Sequence, residues 1–297
     1  MCELLGMDCN VPTDIVFSFR GFSKRGGETG PHTDGWGVCL YEGRSVRSFR
    51  EPFPAAQSPL ARYLRENSIK TKIGVGHIRR KTKGKVQLSN THPFTRELWG
   101  RTWTFAHNGK VHAVTHRPLE RFSPIGTTDS EHAFCWMMDS LERKFRRYPE
   151  EPTRLWRFVA ELGADIGQYG NFNFLLSDST YLFARCHTNL HYLVRQHPFK
   201  HATLADDDVT INFAEHTTPK DRVAVIATQP LTRDETWVKG DPGTLWVFSA
   251  GNLRATLPSA HDRYKEEGKA WRPSTSSGHI PSAKTKPKTP RKPSRTA

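Results

Sequence analysis

The sequence has no long hydrophobic run. No apolar stretch approaches the ~18 residues that a membrane-crossing helix requires, so no bilayer span is expected. A secretory signal is missing as well. The start carries no basic residues, and Asp8, Asn10, Pro12 and Asp14 interrupt any apolar segment. Nothing apolar precedes Cys2, which excludes a lipoprotein cysteine, and the chain reads as cytoplasmic. Cysteine is sparse: five residues with no C-x-x-C pair argue against both a disulfide framework and a zinc site. The fourteen histidines show no H-E-x-x-H or H-x-E spacing, so neither a metal nor another cofactor is expected.

Acidic residues are also in deficit. Against 44 Lys and Arg stand 30 Asp and Glu, for a net charge of +14 over 297 residues. The excess is uneven: the stretch from Pro273 to Ala297 holds six basic residues and no acid. Apolar residues make up 36% of the chain, below the ~45–50% of ordinary globular proteins, and this terminal stretch is poorer still. Rich in Pro, Ser and Lys, it cannot bury enough surface to offset the entropy of ordering, so 258–297 reads as a disordered basic tail. Such a tail could touch nucleic acid nonspecifically. Its basic residues from 273 onward are not interleaved with aromatic ones, and specific nucleic-acid binding is not expected.

What is present from residue 2 to about 257 is a series of short β-type runs with few helices. IGVGHIR (73–79) and RTWTFAHNG (101–109) are apolar, β-branched or aromatic, and NFNFLLSDSTYLFARCH (171–187) reads as a hairpin around Ser-Asp-Ser. LHYLVRQ, RVAVIATQPL and TLWVFSAGNLRATL supply later strands. A helix is predicted from Thr128, where T-D-S-E matches a capping box, and another from Pro152 through TRLWRFVAELGADIG. A third covers SPLARYLREN (58–67). Antiparallel hairpins with helices between and after them indicate an α+β architecture in one domain rather than a parallel doubly wound sheet.

Four fragments suggest chemistry: MCELLGM at the start, GHIRRKTKGKVQLSNTHPF (76–94), FAHNGKV (105–111) and GTTDSEHAF (126–134). Removing Met1 would leave Cys2 as the first residue, carrying both a thiol and a free α-amine. Asn108-Gly109 would ordinarily be a hairpin turn. At a strand end it could instead aim the Asn108 amide and the Gly109 N–H at a developing oxyanion. Arg79 and Arg80 fall on opposite faces of a strand, so only one can face a pocket, where a guanidinium clamps a carboxylate well. Asp129 begins a helix, where a carboxylate supports the dipole; it could also hold an ammonium group. The Asp34-Gly35-Trp36-Gly37 segment reads as a turn entering a core strand. Cys9, Cys39, Cys135 and Cys186 read as buried small hydrophobes.

Together these fragments resemble the class II glutamine amidotransferases, in particular their stand-alone bacterial members. The resemblance runs through MCELLGM, VPTDIVFSF, RGGETGPHTDGWG, HIRRKTKG, NTHPFTRELWGRTWTFAHNG, TTDSE and VIATQPLTRDETW. It implies an N-terminal-nucleophile hydrolase fold, a four-layer αββα sandwich of two antiparallel sheets. It also implies Cys2 as nucleophile with its α-amine as base, and Asn108 and Gly109 as the oxyanion hole. Arg79 would bind the glutamine α-carboxylate and Asp129 the α-amine, with Thr82 near that carboxylate and His92 near the pocket rim. Many relatives have an aromatic residue after the arginine and a Thr-His-Gly turn; here Arg80 and Thr82-Lys83-Gly84 stand in those places. The implied substrate is glutamine, with ammonia passed to a separate acceptor enzyme or subunit, or simply released by a plain amidohydrolase, since only the basic tail follows. A γ-glutamyl peptide is the alternative substrate for the same residues.

Overall fold

The computed structural model describes residues 2–81 and 85–258. Thr82 and the segment 259–297 lie outside the described residues, and with them nearly all of the tail read from composition. In chain order the first strands are β1 (Glu3–Thr13), β2 (Trp36–Glu42), β3 (Ser45–Glu51), β4 (Thr71–Ile78), β5 (Phe94–Glu97) and β6 (Thr102–Val111). They are followed by β7 (Gly170–Ser177), β8 (Leu182–Arg185), β9 (His191–Gln196), β10 (His201–Thr203), β11 (Thr210–Asn212), β12 (Arg222–Ala227), β13 (Val238–Lys239), β14 (Leu245–Ser249) and β15 (Asn252–Leu257). The helices are α1 (Val16–Lys24), α2 (Pro59–Glu66), α3 (Asp129–Lys144) and α4 (Pro152–Gly167).

Two antiparallel sheets form the centre. One has the order β13-β9-β12-β1-β4-β2-β3 and the other β15-β14-β8-β7-β6-β5, while β10 and β11 pair as a separate hairpin. Three apolar clusters show how the layers stack. Leu4, Val75, Ala106, Leu175, Ala224 and Ile226 fill the space between the sheets. Leu5, Met7, Phe19, Phe22, Val38 and Leu64 join the first sheet to α1 and α2. Phe105, Phe134, Met137, Val159 and Phe174 join the second sheet to α3 and α4. The result is the expected αββα sandwich, because each strand alternates faces with period two and both faces are buried. In the middle the sheets come close: a Cβ on Gly6 would meet side chains of Leu175 and Leu182 at 3.2 Å.

Local chemistry explains the helix starts. Ser58 caps α2 by accepting from Ala61 N at 2.9 Å, ahead of Pro59 at the first turn. Thr128 caps α3 by accepting from Glu131 N at 3.2 Å. The Glu131 carboxylate does not complete the capping box; it accepts from Ile125 N and Gly126 N and pairs with Arg96. Among the described residues no helix is long and apolar enough to cross a membrane.

Candidate active site

The site forms where the inward faces of both sheets run out. Register sets Leu4 opposite His77 on β4 and Leu5 opposite Ala227 on β12. On the other sheet Asn108 stands opposite Asn173. Alternation continues the inward face that holds Leu4, Val75, Ala106, Leu175 and Ile226. Two residues outward from Leu4, Ala106, Leu175 and Ile226, and four from Val75, the same pattern brings Cys2, Asn108, Asn173, Thr228 and Arg79 to one end of the sandwich.

Cys2 precedes β1 and is half-buried. The Arg80 N–H donates to its Sγ at 3.3 Å, and the thiol reaches the Arg80 carbonyl at 3.4 Å. Burial raises the Cys2 pKa above that of an ordinary thiol, against the Arg80 N–H bond and the Arg79 charge, which favour the thiolate. This sulfur therefore needs a base to react near neutral pH. Arg79 is buried while Arg80 is exposed, so the alternation selects Arg79 as the inward guanidinium. Its backbone N–H donates to Gly35 O at 2.8 Å and its Nη1 to Lys85 O at 3.2 Å. Burial lowers the Arg79 pKa, with Cys2 and Asp34 opposing. Gly35 has φ +127°, and a Cβ on Gly37 would lie 2.3 Å from His92 O. The Asp34–Gly37 segment is thus a tight turn entering β2, pressed against the chain beside Arg79.

Asn108 and Gly109 lie within β6, paired with Asn173 and Phe172, rather than in a hairpin turn. Gly109 has φ +153°, and a Cβ there would lie 1.9 Å from Asn171 O. Only glycine fits. The Asn108 carbonyl accepts from Asn173 Nδ2 at 3.0 Å, and its side-chain amide approaches Thr228 Oγ1 at 3.4 Å. The other end of that amide is buried with no partner. Asn173 Oδ1 in turn accepts from the N–H groups of His187, Thr188 and Asn189. Thr228 Oγ1 also accepts from Leu4 N at 2.9 Å, which ties the strand behind Cys2 to the one bearing Asn108.

Asp129 stands at the first turn of α3, half-exposed. Its Oδ2 accepts from Val111 N at 3.0 Å and its Oδ1 from Ser130 N at 2.8 Å, which fixes the helix end to the strand carrying Gly109. His92 is buried at 5% exposure, with Nδ1 3.0 Å from His77 Nε2. Its ring packs edge-on against His77 and Phe94. Burial pushes His77 down to about 3 and His92 well below the ordinary histidine range. Both rings are neutral at physiological pH. The sequence reading did not single out Arg25, Asn173 or Thr228. Arg25 pairs with Glu3 at 3.1 Å and with Asp206 at 2.8 Å, and it donates to Gln229 O and Pro230 O. It therefore holds the residue after Cys2 to the chain beyond Thr228.

Known proteins resemble this chain over most of its length. The family model for class II glutamine amidotransferases matches residues 1–271. YafJ of Escherichia coli K12, named as a glutamine amidotransferase, is 51% identical over 251 residues, 84% of this chain and 98% of that protein. A predicted glutamine amidotransferase from Pseudomonas aeruginosa PA01 has a crystal structure that superposes with a TM-score of 0.69. It is 42% identical, over 86% of this chain and all of that one. At 13% identity, glutamine phosphoribosylpyrophosphate amidotransferase from B. subtilis shares the fold alone, with a TM-score of 0.54 over 86% of this chain and 49% of that one. With the match extending over almost the whole length of YafJ and across the residues at the sandwich end, the chain belongs to the class II glutamine amidotransferases.

Proposed function

We propose that this enzyme hydrolyses the side-chain amide of glutamine through Cys2, after removal of Met1, and delivers the ammonia to a separate acceptor protein. The observation that carries the reading is the position of Cys2 Sγ on the Arg80 backbone, beside the buried Arg79 guanidinium. A free α-amine titrates near ~8 and a thiol near ~8.5, so the amine of Cys2 can take the thiol proton within one residue. The thiolate then attacks the amide carbon, and the oxyanion rests on Asn108 Nδ2 and the Gly109 N–H. The protonated amine gives its proton to the departing nitrogen, which leaves as ammonia. A γ-glutamyl thioester remains; water, deprotonated by the same amine, cleaves it to glutamate and frees the thiol. Arg79 holds the α-carboxylate and Asp129 the α-ammonium. Thr82 and His92 are assigned secondary parts, Thr82 near that carboxylate and His92 through its contact with His77.

This reading makes the burial-raised thiol intelligible: a sulfur that is protonated at rest is activated only by its own amine. Cys2→Ala is expected to abolish ammonia release from glutamine while the far-UV spectrum and melting temperature stay near wild type. Full activity in that variant would overturn the assignment. Arg79 and Asp129 grip only the amino-acid head and so do not select the leaving group. Parallel kinetics on a γ-glutamyl dipeptide decide between the two amide substrates: a kcat/KM higher than for glutamine would make the enzyme a γ-glutamyl peptide hydrolase.

A further inference from the structure

Thr228 follows the last residue of β12 and is 1% exposed. Its backbone N–H donates to Leu4 O at 3.2 Å, as a ladder would require. The return bond is unusual: Leu4 N donates to the Thr228 hydroxyl, at 2.9 Å, instead of to a backbone carbonyl. The Thr228 carbonyl is meanwhile occupied by Asn189 Nδ2 at 2.9 Å and His191 Nδ1 at 3.0 Å. The hydroxyl oxygen is thus fixed in place by the strand that begins at the nucleophile.

That oxygen has one proton to give. Among the described residues no hydrogen bond takes it when Asn108 Nδ2 faces Thr228, because the hydroxyl then only receives, from Leu4 N and from the amide. In the same orientation Asn108 Oδ1 is buried with no donor. A half-turn of the amide exchanges Oδ1 and Nδ2, leaves the rest of the side chain in place and meets both needs. The Thr228 O–H donates to Oδ1, and Nδ2 takes the buried, unpartnered position, where its N–H groups are left for a substrate oxygen. The Asn108 backbone cannot adjust instead, since Asn173 Nδ2 holds its carbonyl at 3.0 Å and Asn173 is itself held by three N–H groups.

We propose that Thr228 is a positioning residue whose hydroxyl sets the orientation of the Asn108 amide, so that Nδ2 and not Oδ1 is presented to the reacting carbonyl. The inference rests on the reading of Asn108 as an oxyanion donor. The 3.4 Å separation is long for a resting bond, and bonds of this kind shorten when charge develops in the transition state. Thr228 therefore couples the two sheets at the point of reaction: one bond orders the strand behind Cys2, the other aims the donor opposite it.

The test is a double-mutant cycle on ammonia release from glutamine, using wild type, Thr228→Ser, Thr228→Val, Asn108→Ala and the Thr228→Val/Asn108→Ala pair. Thr228→Val is expected to lower kcat ~100-fold, the order seen when one oxyanion donor is lost, with KM within about 3-fold. Thr228→Ser keeps the hydroxyl and is expected to stay within about 5-fold of wild type. In the Asn108→Ala background, Thr228→Val should cost less than about 2-fold. Melting curves accompany each variant, and Thr228→Ala replaces the valine in the cycle if valine prevents folding. Equal losses from Thr228→Val in both backgrounds would overturn the inference, because a general structural defect is additive. So would a Thr228→Val enzyme as fast as wild type. An Asn108→Ala enzyme with wild-type kcat would overturn the oxyanion assignment itself, a failure distinct from additivity in an impaired Asn108→Ala.

Discussion

From Cys2 to Asp8 the inward face of the first strand has a polar side chain on either side of apolar packing: Cys2, then Leu4 and Gly6, then Asp8, midway along β1. The two ends differ in what converges on them. Cys2 meets the Arg80 backbone and lies beside Arg79, with Asn108 and Thr228 linked to the same strand from across the sandwich. Asp8 is 1% exposed and accepts from Gly251 N. Burial pushes its carboxyl up to about 7, against that bond and the charge of Arg254. Both residues are raised by desolvation, yet only the Cys2 end gathers groups with complementary roles. A perturbed titratable group at a strand end marks a reactive site when charge, donors and acceptors arrive from several elements together.

Substitutions at the two ends and in the middle should separate these cases. Arg79→Ala at the Cys2 end is expected to lower kcat/KM for glutamine ~1,000-fold, about 4 kcal/mol of lost binding to a buried charge, mainly through KM. Steady-state kinetics check it, and an unchanged KM would remove Arg79 from substrate binding. In the middle, Ile226→Ala opens a cavity between the sheets and should cost about 3 kcal/mol of stability, with kcat per folded molecule unchanged. Denaturant unfolding with parallel assays would show this split; a large kcat loss without destabilisation would break the contrast between packing and chemistry.

The Asp8 end should show the smallest effect, and only in stability. Because the folded-state pKa lies near 7 and the unfolded one near ~3.9, folding retains a proton that the unfolded chain releases. The contribution is full below about pH 4, declines as pH rises toward about 7 and is level beyond. Asp8→Asn keeps an acceptor for Gly251 N and removes this decline. It should stabilise the protein on the order of 2 kcal/mol at pH 8 and nothing like that at pH 4, less than three pKa units would give because the added N–H₂ is buried. Activity at pH 8 should equal wild type. A stability difference independent of pH would refute an ionising Asp8.

Legibility in the sequence followed locality. The helices α2, α3 and α4 announce themselves through Ser58, Thr128 and Pro152, residues that act within one turn. Helix α1 does not: its cap position is Ile15, its interior holds Gly21, and its run of Val and Phe reads like a strand, although Ile15, Phe19 and Phe22 bury one face. Cys2, Arg79 and Asn108 could be named because their residue types carry chemistry and a family resemblance orders them. Thr228 and Asn173 could not. Their partners lie 224 and 65 residues away in sequence, and each looks like turn chemistry until the sheets face one another. The only signal available was phase: both continue an inward-facing apolar alternation with a polar side chain. His92, placed near the rim by the resemblance alone, is buried against His77.

The most direct measurement is the intact mass of active enzyme before and after reaction with an electrophilic glutamine analogue, followed by peptide mapping. The account predicts a chain without Met1 that gains a single adduct, mapped to Cys2 and missing from Cys2→Ala. Fully active protein that retains Met1, or an adduct on Cys9, Cys39, Cys135 or Cys186, would contradict it.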